Sequence, residues 1–120
     1  MQRRKYRRIE AELRVEYAVE GSPSQKATLQ TYTKNVGAKG ICFSVSEDIA
    51  LNTILSLKIY LPDKKGPIEA KGSVVWKGKF TSLDTSVRYD VGVDISQISE
   101  SDERRLRQHL FGLVDKKSPQ

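Results

Sequence analysis

Apolar side chains recur at every second position along most of this chain, and this alternation limits the fold to one built mainly from strands. Alternation of this kind places one face of a strand in a core and leaves the other face in solvent. Six alternating segments are separated by residues typical of turns. Their apolar sets begin at Leu13, Ala27, Ile41, Leu55, Ile68 and Val87. The pattern predicts an all-β protein, folded as an antiparallel barrel or sandwich.

The period changes after Ile98, where a helix is predicted. Ser99 followed by Asp102 resembles a capping box, and one helical stripe carries Leu106, Leu110, Leu113 and Val114. We expect this stripe to cover a barrel mouth or a sheet face. The predicted organisation is a single domain with four parts: an N-terminal arm over 1–12, a β domain over 13–98, a C-terminal helix over 99–114 and a tail over 115–120.

Length and charge restrict the function. The chain of 120 residues is long enough for one ordinary domain, and its formal net charge of +6 favours an anionic partner. Cys42 is the single cysteine, which excludes an intrachain disulfide and a cysteine-rich zinc site. No apolar run reaches the roughly 20 residues that span a bilayer. We therefore expect a cytoplasmic protein without a membrane span.

The first eight residues are strongly basic, with Arg3, Arg4, Lys5, Arg7 and Arg8 preceding the first strand. Like charges repel one another, and the segment has little apolar surface to bury. We expect residues 1–8 to be flexible without a partner and ordered by an anionic ligand. A guanidinium stacks on a purine and binds guanine or phosphate through two parallel hydrogen bonds. A solvated basic terminus is the simpler alternative.

The segment Asn35–Gly40 is the second unusual feature, predicted to be a turn between two strands. Gly37 and Gly40 allow a ligand to approach exposed backbone N–H groups closely, and the Asn35 side chain can pair with a base edge. An ordinary hairpin connection would show a similar composition.

These two features together resemble the PilZ domain family. Arg4 and Arg8 form an RxxxR motif, and Asn35–Gly40 resembles the family motif [DN]xSxxG. Four further segments match strands of the family, namely Leu13–Tyr17, Gly40–Phe43, Gly72–Trp76 and Tyr89–Val93. The resemblance extends from about Arg3 to Gly112 and implies a six-stranded antiparallel β-barrel with a flexible basic N-terminal arm and one C-terminal α-helix.

The resemblance also implies a function: binding of the bacterial second messenger cyclic di-GMP, with no catalysis. Arg4 and Arg8 would grip guanine edges and phosphates. Asn35, with the backbone from Gly37 to Gly40, would meet a second guanine. An arginine just before RxxxR tends in the family to accompany an intercalated ligand dimer, and Arg3 occupies that position.

One departure from the family pattern occurs at Gly37, where the motif usually has serine. A lost hydroxyl removes one hydrogen bond, which is worth about 0.5–1.5 kcal/mol. The leading hypothesis is a receptor that relays ligand binding to an unidentified protein effector through ordering of the arm.

Two other hypotheses stay open. A degenerate PilZ domain could act as a structural adaptor without nucleotide binding, and a small basic barrel could bind RNA or single-stranded DNA. The aromatic pattern disfavours nucleic acid, because Trp76 has the parity of a core residue and an exposed aromatic ladder is missing. No catalytic constellation, metal site or cofactor is predicted. His109 is isolated on the helix, and the carboxylates of Asp90 and Asp94 are assigned to a solvated strand face.

Overall fold

The computed structural model describes residues 8–20, 29–37 and 39–117, with side chains described between residues 10 and 112 of these ranges. Within these ranges, seven strands precede one helix. The strands are β1 (Arg8–Glu10), β2 (Arg14–Val19), β3 (Leu29–Gly37), β4 (Gly40–Val45), β5 (Ile54–Tyr60), β6 (Ile68–Thr81) and β7 (Val87–Ile98), and the helix is α1 (Glu100–Lys117).

The long strands close into a barrel. Their order is β3-β2-β5-β6-β7-β4, and the pairing of β4 with β3 joins the two ends of the sheet. Every pairing is antiparallel. The six-stranded antiparallel barrel with one C-terminal helix is therefore confirmed. The short strand β1 adds to β3 beyond the end of β2.

The alternating apolar residues fill the barrel as predicted. Burial removes apolar surface from water and is the main favourable term in folding. The largest side chains with almost no exposure are Phe43, Ile41, Leu55, Leu57, Ile59, Ile68 and Leu106. Helix α1 contributes Leu106 and Leu110 to the same cluster, so this part of the predicted stripe packs on the barrel core. Leu113 and Val114 lie outside the described side chains. The Ser99 hydroxyl accepts a hydrogen bond from the Asp102 backbone N–H at 3.1 Å, which confirms the predicted helix cap.

Three boundaries differ from the sequence prediction. Helix α1 continues to Lys117, so part of the segment expected to be a tail is helical. Arg8 was placed in a flexible arm, yet its backbone belongs to β1. The turn predicted for Asn35–Gly40 is too long, because β3 continues through Gly37 and β4 begins at Gly40.

The position of Trp76 is also different from the prediction. A β-bulge shifts the register between Val74 and Trp76, so Val74 faces Val93 while Trp76 faces Gly92. A bulge inserts one extra residue and thereby exchanges the faces of the strand beyond it. Trp76 consequently lies on the outer surface with 38% of its area exposed, and its assignment to the core is wrong.

Candidate functional site

The pairing of β1 with β3 brings the end of the basic segment beside the glycine motif. Arg8 is opposite Gly37 and Glu10 is opposite Asn35 in this ladder. The two sequence motifs therefore meet through backbone pairing. Arg3 and Arg4 lie outside the described residues, so their predicted roles stay predictions.

A buried threonine holds the connection between β1 and β2. The Thr33 hydroxyl accepts a hydrogen bond from the Leu13 N–H at 2.8 Å and donates one to the Ala11 carbonyl at 2.5 Å. The Thr33 N–H also donates to the Leu13 carbonyl at 2.9 Å. Buried backbone groups need such partners, and these bonds direct β1 along the last residues of β3. No feature of the sequence distinguished Thr33 from the other strand threonines.

The end of the glycine motif is anchored on two sides. The Ile95 N–H donates to the Lys39 carbonyl at 2.8 Å, which ties the turn to β7. The Lys39 ammonium lies 3.3 Å from the Glu103 carboxylate on α1, and Glu103 also pairs with Arg107 at 2.8 Å. The hydrogen bond from Lys39, with the charges of Lys39 and Arg107, lowers the pKa of Glu103. Gly40 is thus held at a fixed place at the start of β4.

A row of paired residues crosses the outer face of the barrel from Trp76 to the glycine motif. Trp76 is opposite Gly92, Gly92 is opposite Cys42, and Cys42 is opposite Asn35. The row continues to Glu10 on β1. Neighbouring strands are about 4.8 Å apart, so the three steps from Trp76 to Asn35 cover roughly 14 Å. This row places an exposed indole and the motif asparagine on one surface.

The indole of Trp76 covers Gly92. A Cβ atom built on Gly92 would lie 2.6 Å from Cδ1 and 2.7 Å from Cε2 of the indole, and nearer still to Nε1. Three atoms of the five-membered ring therefore sit over the glycine, a contact that any larger residue would prevent. One face of the indole lies on the Gly92 backbone, and part of the ring surface stays in solvent. The sequence analysis assigned Trp76 to the core, and the one signal for an outward position was the glycine at an outward position of β7.

A separate groove lies on another part of the barrel. Its volume is about 480 Å³, and it follows the outer faces of β2, β5 and β6 toward the start of α1. The charged side chains along it alternate in sign and include Glu16, Lys58, Glu69 and Lys71. No motif residue lines it. We therefore place the candidate site on the open surface around Asn35 and not in this groove.

The described residues show no group of three or more His, Cys, Asp or Glu side chains that could hold a metal ion. Cys42 forms no disulfide and is buried, with 3% exposure. Within the same part of the chain, no helix is long and apolar enough to cross a membrane.

The closed six-stranded barrel, with β1 laid beside the glycine motif and one C-terminal helix, defines a small β-barrel domain. The family model described as PilZ domain matches residues 2–112. The chain belongs to the PilZ domain family. A search of curated proteins finds no match to this chain.

Solved structures share the fold. One match is the Bacillus subtilis inhibitor of motility, MotI/DgrA, with a TM-score of 0.75 and 24% identity over 99% of this chain and 55% of that one. The PilZ domain of Escherichia coli YcgR with c-di-GMP gives 0.71 and 14% identity, covering 96% of this chain and 94% of that one. The K. pneumonia MrkH complex with c-di-GMP gives 0.77 and 15% identity, covering 99% and 56%. The chain spans about half the length of MotI/DgrA and of MrkH.

Proposed function

We propose that this chain is a receptor for cyclic di-GMP in the bacterial cytoplasm, and that it binds the nucleotide without transforming it. The observation that carries the proposal is the pairing of Arg8 with Gly37 between β1 and β3. It places the second arginine of RxxxR next to the glycine motif, as the family resemblance requires. Membership of the PilZ family and the c-di-GMP complexes of YcgR and MrkH support the same ligand.

The chemistry of the surface suits a guanine nucleotide. Arginines of the N-terminal segment supply planar donors for phosphates and for the O6 and N7 atoms of guanine. Asn35 offers an amide at the β3 end of the row, and Trp76 offers a stacking surface at the β6 end. Stacking of a base on an aromatic side chain is worth about 1–3 kcal/mol. We assign ligand contacts to Arg3, Arg4, Arg8, Asn35, Gly37 and Gly40, and we add Trp76.

Signal output in this proposal comes from the N-terminal segment. Arg3 and Arg4 close over the nucleotide, with Arg3 favouring an intercalated dimer, and the closed segment offers a new surface to a protein effector. A ligand shifts an equilibrium only through contacts that differ between the two states. Contacts that form only when the segment closes meet that requirement.

One specific observation keeps nucleic acid as a second candidate. Trp76 is exposed and Tyr32 has 56% of its area in solvent, so aromatic side chains are available on the outer face. Single-stranded nucleic acids bind such side chains together with basic grooves. The argument against this ligand from the parity of Trp76 no longer holds.

Calorimetric titration distinguishes the candidates. The receptor proposal predicts saturable binding of cyclic di-GMP, with GTP and a short oligonucleotide binding far more weakly. Polyanion binding falls steeply with added salt, whereas recognition of one small nucleotide falls modestly. A flat titration with cyclic di-GMP would contradict the proposal and favour the structural adaptor. Tight, salt-sensitive binding of the oligonucleotide alone would favour nucleic acid.

A further inference from the structure

A second polar cluster lies beside the Trp76 row, built from Lys34 on β3, Ser44 on β4 and Asp90 on β7. The Ser44 hydroxyl donates to Oδ1 of Asp90 at 2.6 Å. Nζ of Lys34 lies 2.9 Å from Oδ1 and 3.0 Å from Oδ2 of the same carboxylate. The Asp90 side chain is 26% exposed, so it is partly buried and open on one side. The cluster thus places a hydrogen-bond donor, Lys34, beside an acceptor, Asp90, on the outer face.

The cluster is next to the indole along β7. Asp90 is opposite Gly78 and Gly92 is opposite Trp76, so the two pairs are adjacent on the same face. Two residues along a strand span about 7 Å, which is similar to the length of a purine. A base stacked on the solvent side of Trp76 can therefore direct one edge at Asp90. Gly78 has no side chain to obstruct this path.

Lys34 is held in place by an aromatic ring as well as by the carboxylate. Its Nζ lies 4.9 Å from the centre of the Phe80 ring, within the range of a cation–π contact. Two partners restrain the ammonium, although 49% of the side chain is exposed. An ammonium carries three N–H donors, so Nζ can turn one of them toward a ligand and still keep its contacts with Asp90 and Phe80.

We propose that Lys34 and Asp90 read the Watson–Crick edge of a guanine that stacks on Trp76, which rests on the proposed function. Guanine presents an acceptor at O6 beside donors at N1 and N2. Lys34 would donate to O6, and the Asp90 carboxylate would accept from N1–H and N2–H. Adenine presents the opposite order, with a donor at N6 and an acceptor at N1. The pair therefore selects guanine over adenine, because adenine would leave both charged groups facing the wrong partner.

The test compares cyclic di-GMP with cyclic di-IMP, whose bases lack the 2-amino group, by calorimetry on the full chain. The unmodified protein should prefer cyclic di-GMP. Asp90→Asn should weaken cyclic di-GMP about tenfold or more, since hydrogen bonds to a charged group are strong. It should affect cyclic di-IMP less, because that base keeps N1–H but lacks the N2–H donor, so that the preference between the two nucleotides falls several-fold. Lys34→Met should weaken both nucleotides, because O6 is present in each.

A matched control is Glu20→Gln. It breaks the Lys71–Glu20 pair, which has a separation of 2.6 Å and lies outside the row. This variant should bind both nucleotides like the unmodified chain. An unchanged preference in Asp90→Asn overturns the inference and leaves the receptor proposal intact. Failure of the unmodified chain to bind cyclic di-GMP overturns the proposed function and the inference together. If Asp90→Asn does not fold, a Lys34→Met variant that binds normally overturns the inference.

Discussion

Arg8 and Gly37 face each other in the ladder between β1 and β3, at the point where the two sequence motifs meet. This pairing fixes where the backbone of one arginine lies relative to the glycine motif. The role of the arginines can therefore be tested at a position whose backbone is known.

Arg8→Ala should weaken cyclic di-GMP binding by about tenfold to a hundredfold, because a charged hydrogen bond is worth about 1.5–3 kcal/mol. Arg4→Ala should behave similarly. Lys5→Ala is the control and should cost less than about threefold, since an ammonium lacks the planar fork of donors. Calorimetry at low and raised salt measures these effects. Equal losses at all three positions would indicate nonspecific attraction.

Gly37→Ser should leave binding unchanged or tighten it, because serine is the residue that the family motif usually has there. The gain has the size of one hydrogen bond, at most about tenfold in affinity. Gly37 is buried at the end of β3, so circular dichroism must accompany the titration. Weaker binding by a folded variant would show that the backbone at this position does not accept a side chain.

Gly92→Ala should displace Trp76, because the new Cβ would overlap the indole. Trp76 is the single tryptophan of the chain, so its fluorescence reports this site alone. We expect a red-shifted emission and binding weaker by about fivefold to a hundredfold, the range of base stacking. Trp76→Ala should weaken binding to a similar extent.

Phe111→Ala is the matched control for Trp76→Ala, since Phe111 is an aromatic residue with 64% exposure on α1. It should bind cyclic di-GMP normally. Unaltered emission and affinity in Gly92→Ala would remove Trp76 from the proposed site.

Lowering the pH should weaken the ion pair that joins Lys39, in the glycine motif, to Glu103 on α1. The pKa of Glu103 is lowered in the folded protein by its hydrogen bond from Lys39. A lowered folded pKa gives stability that is present above the unfolded value of 4.5 and is lost as the pH falls through the folded value. Melting temperatures between about pH 3 and about pH 7 should therefore fall less steeply for Glu103→Gln than for the unmodified chain. Parallel curves of melting temperature against pH for the two proteins would contradict a stabilising role of the Lys39–Glu103 pair. Glu12→Gln serves as the control carboxylate.

Residues 1–7 should become ordered when cyclic di-GMP binds, because ordering costs about 1–2 kcal/mol per residue and the ligand supplies the compensating contacts. Backbone amide NMR with and without the nucleotide measures this change. A segment that stays mobile at saturation would contradict the proposed signal. If Arg3 holds a stacked dimer, Arg3→Ala should lower the bound nucleotide toward a single molecule per chain.

The local pattern of the sequence was sufficient to predict the strands and the helix cap and to identify the family. Alternation depends on neighbouring residues of one strand, and the RxxxR and glycine motifs can be recognised from their spacing and order. The predicted inward residues, such as Val15, Phe43 and Val93, are buried in the structure. The strands and the helix cap needed information from one short segment at a time, and the family needed in addition the order of several such segments along the chain.

The tertiary structure decided the arrangement of the site. The bulge at β6 exposed Trp76, the hydroxyl of Thr33 directed β1 along β3, and Asp90 met Lys34 across three strands. These contacts join residues far apart in the chain. Their geometry depends on strand register, which is set by the packing of the whole barrel and not by any single segment. The sequence by itself determined which surface carries polar residues, and only the closed barrel determined which of them are neighbours.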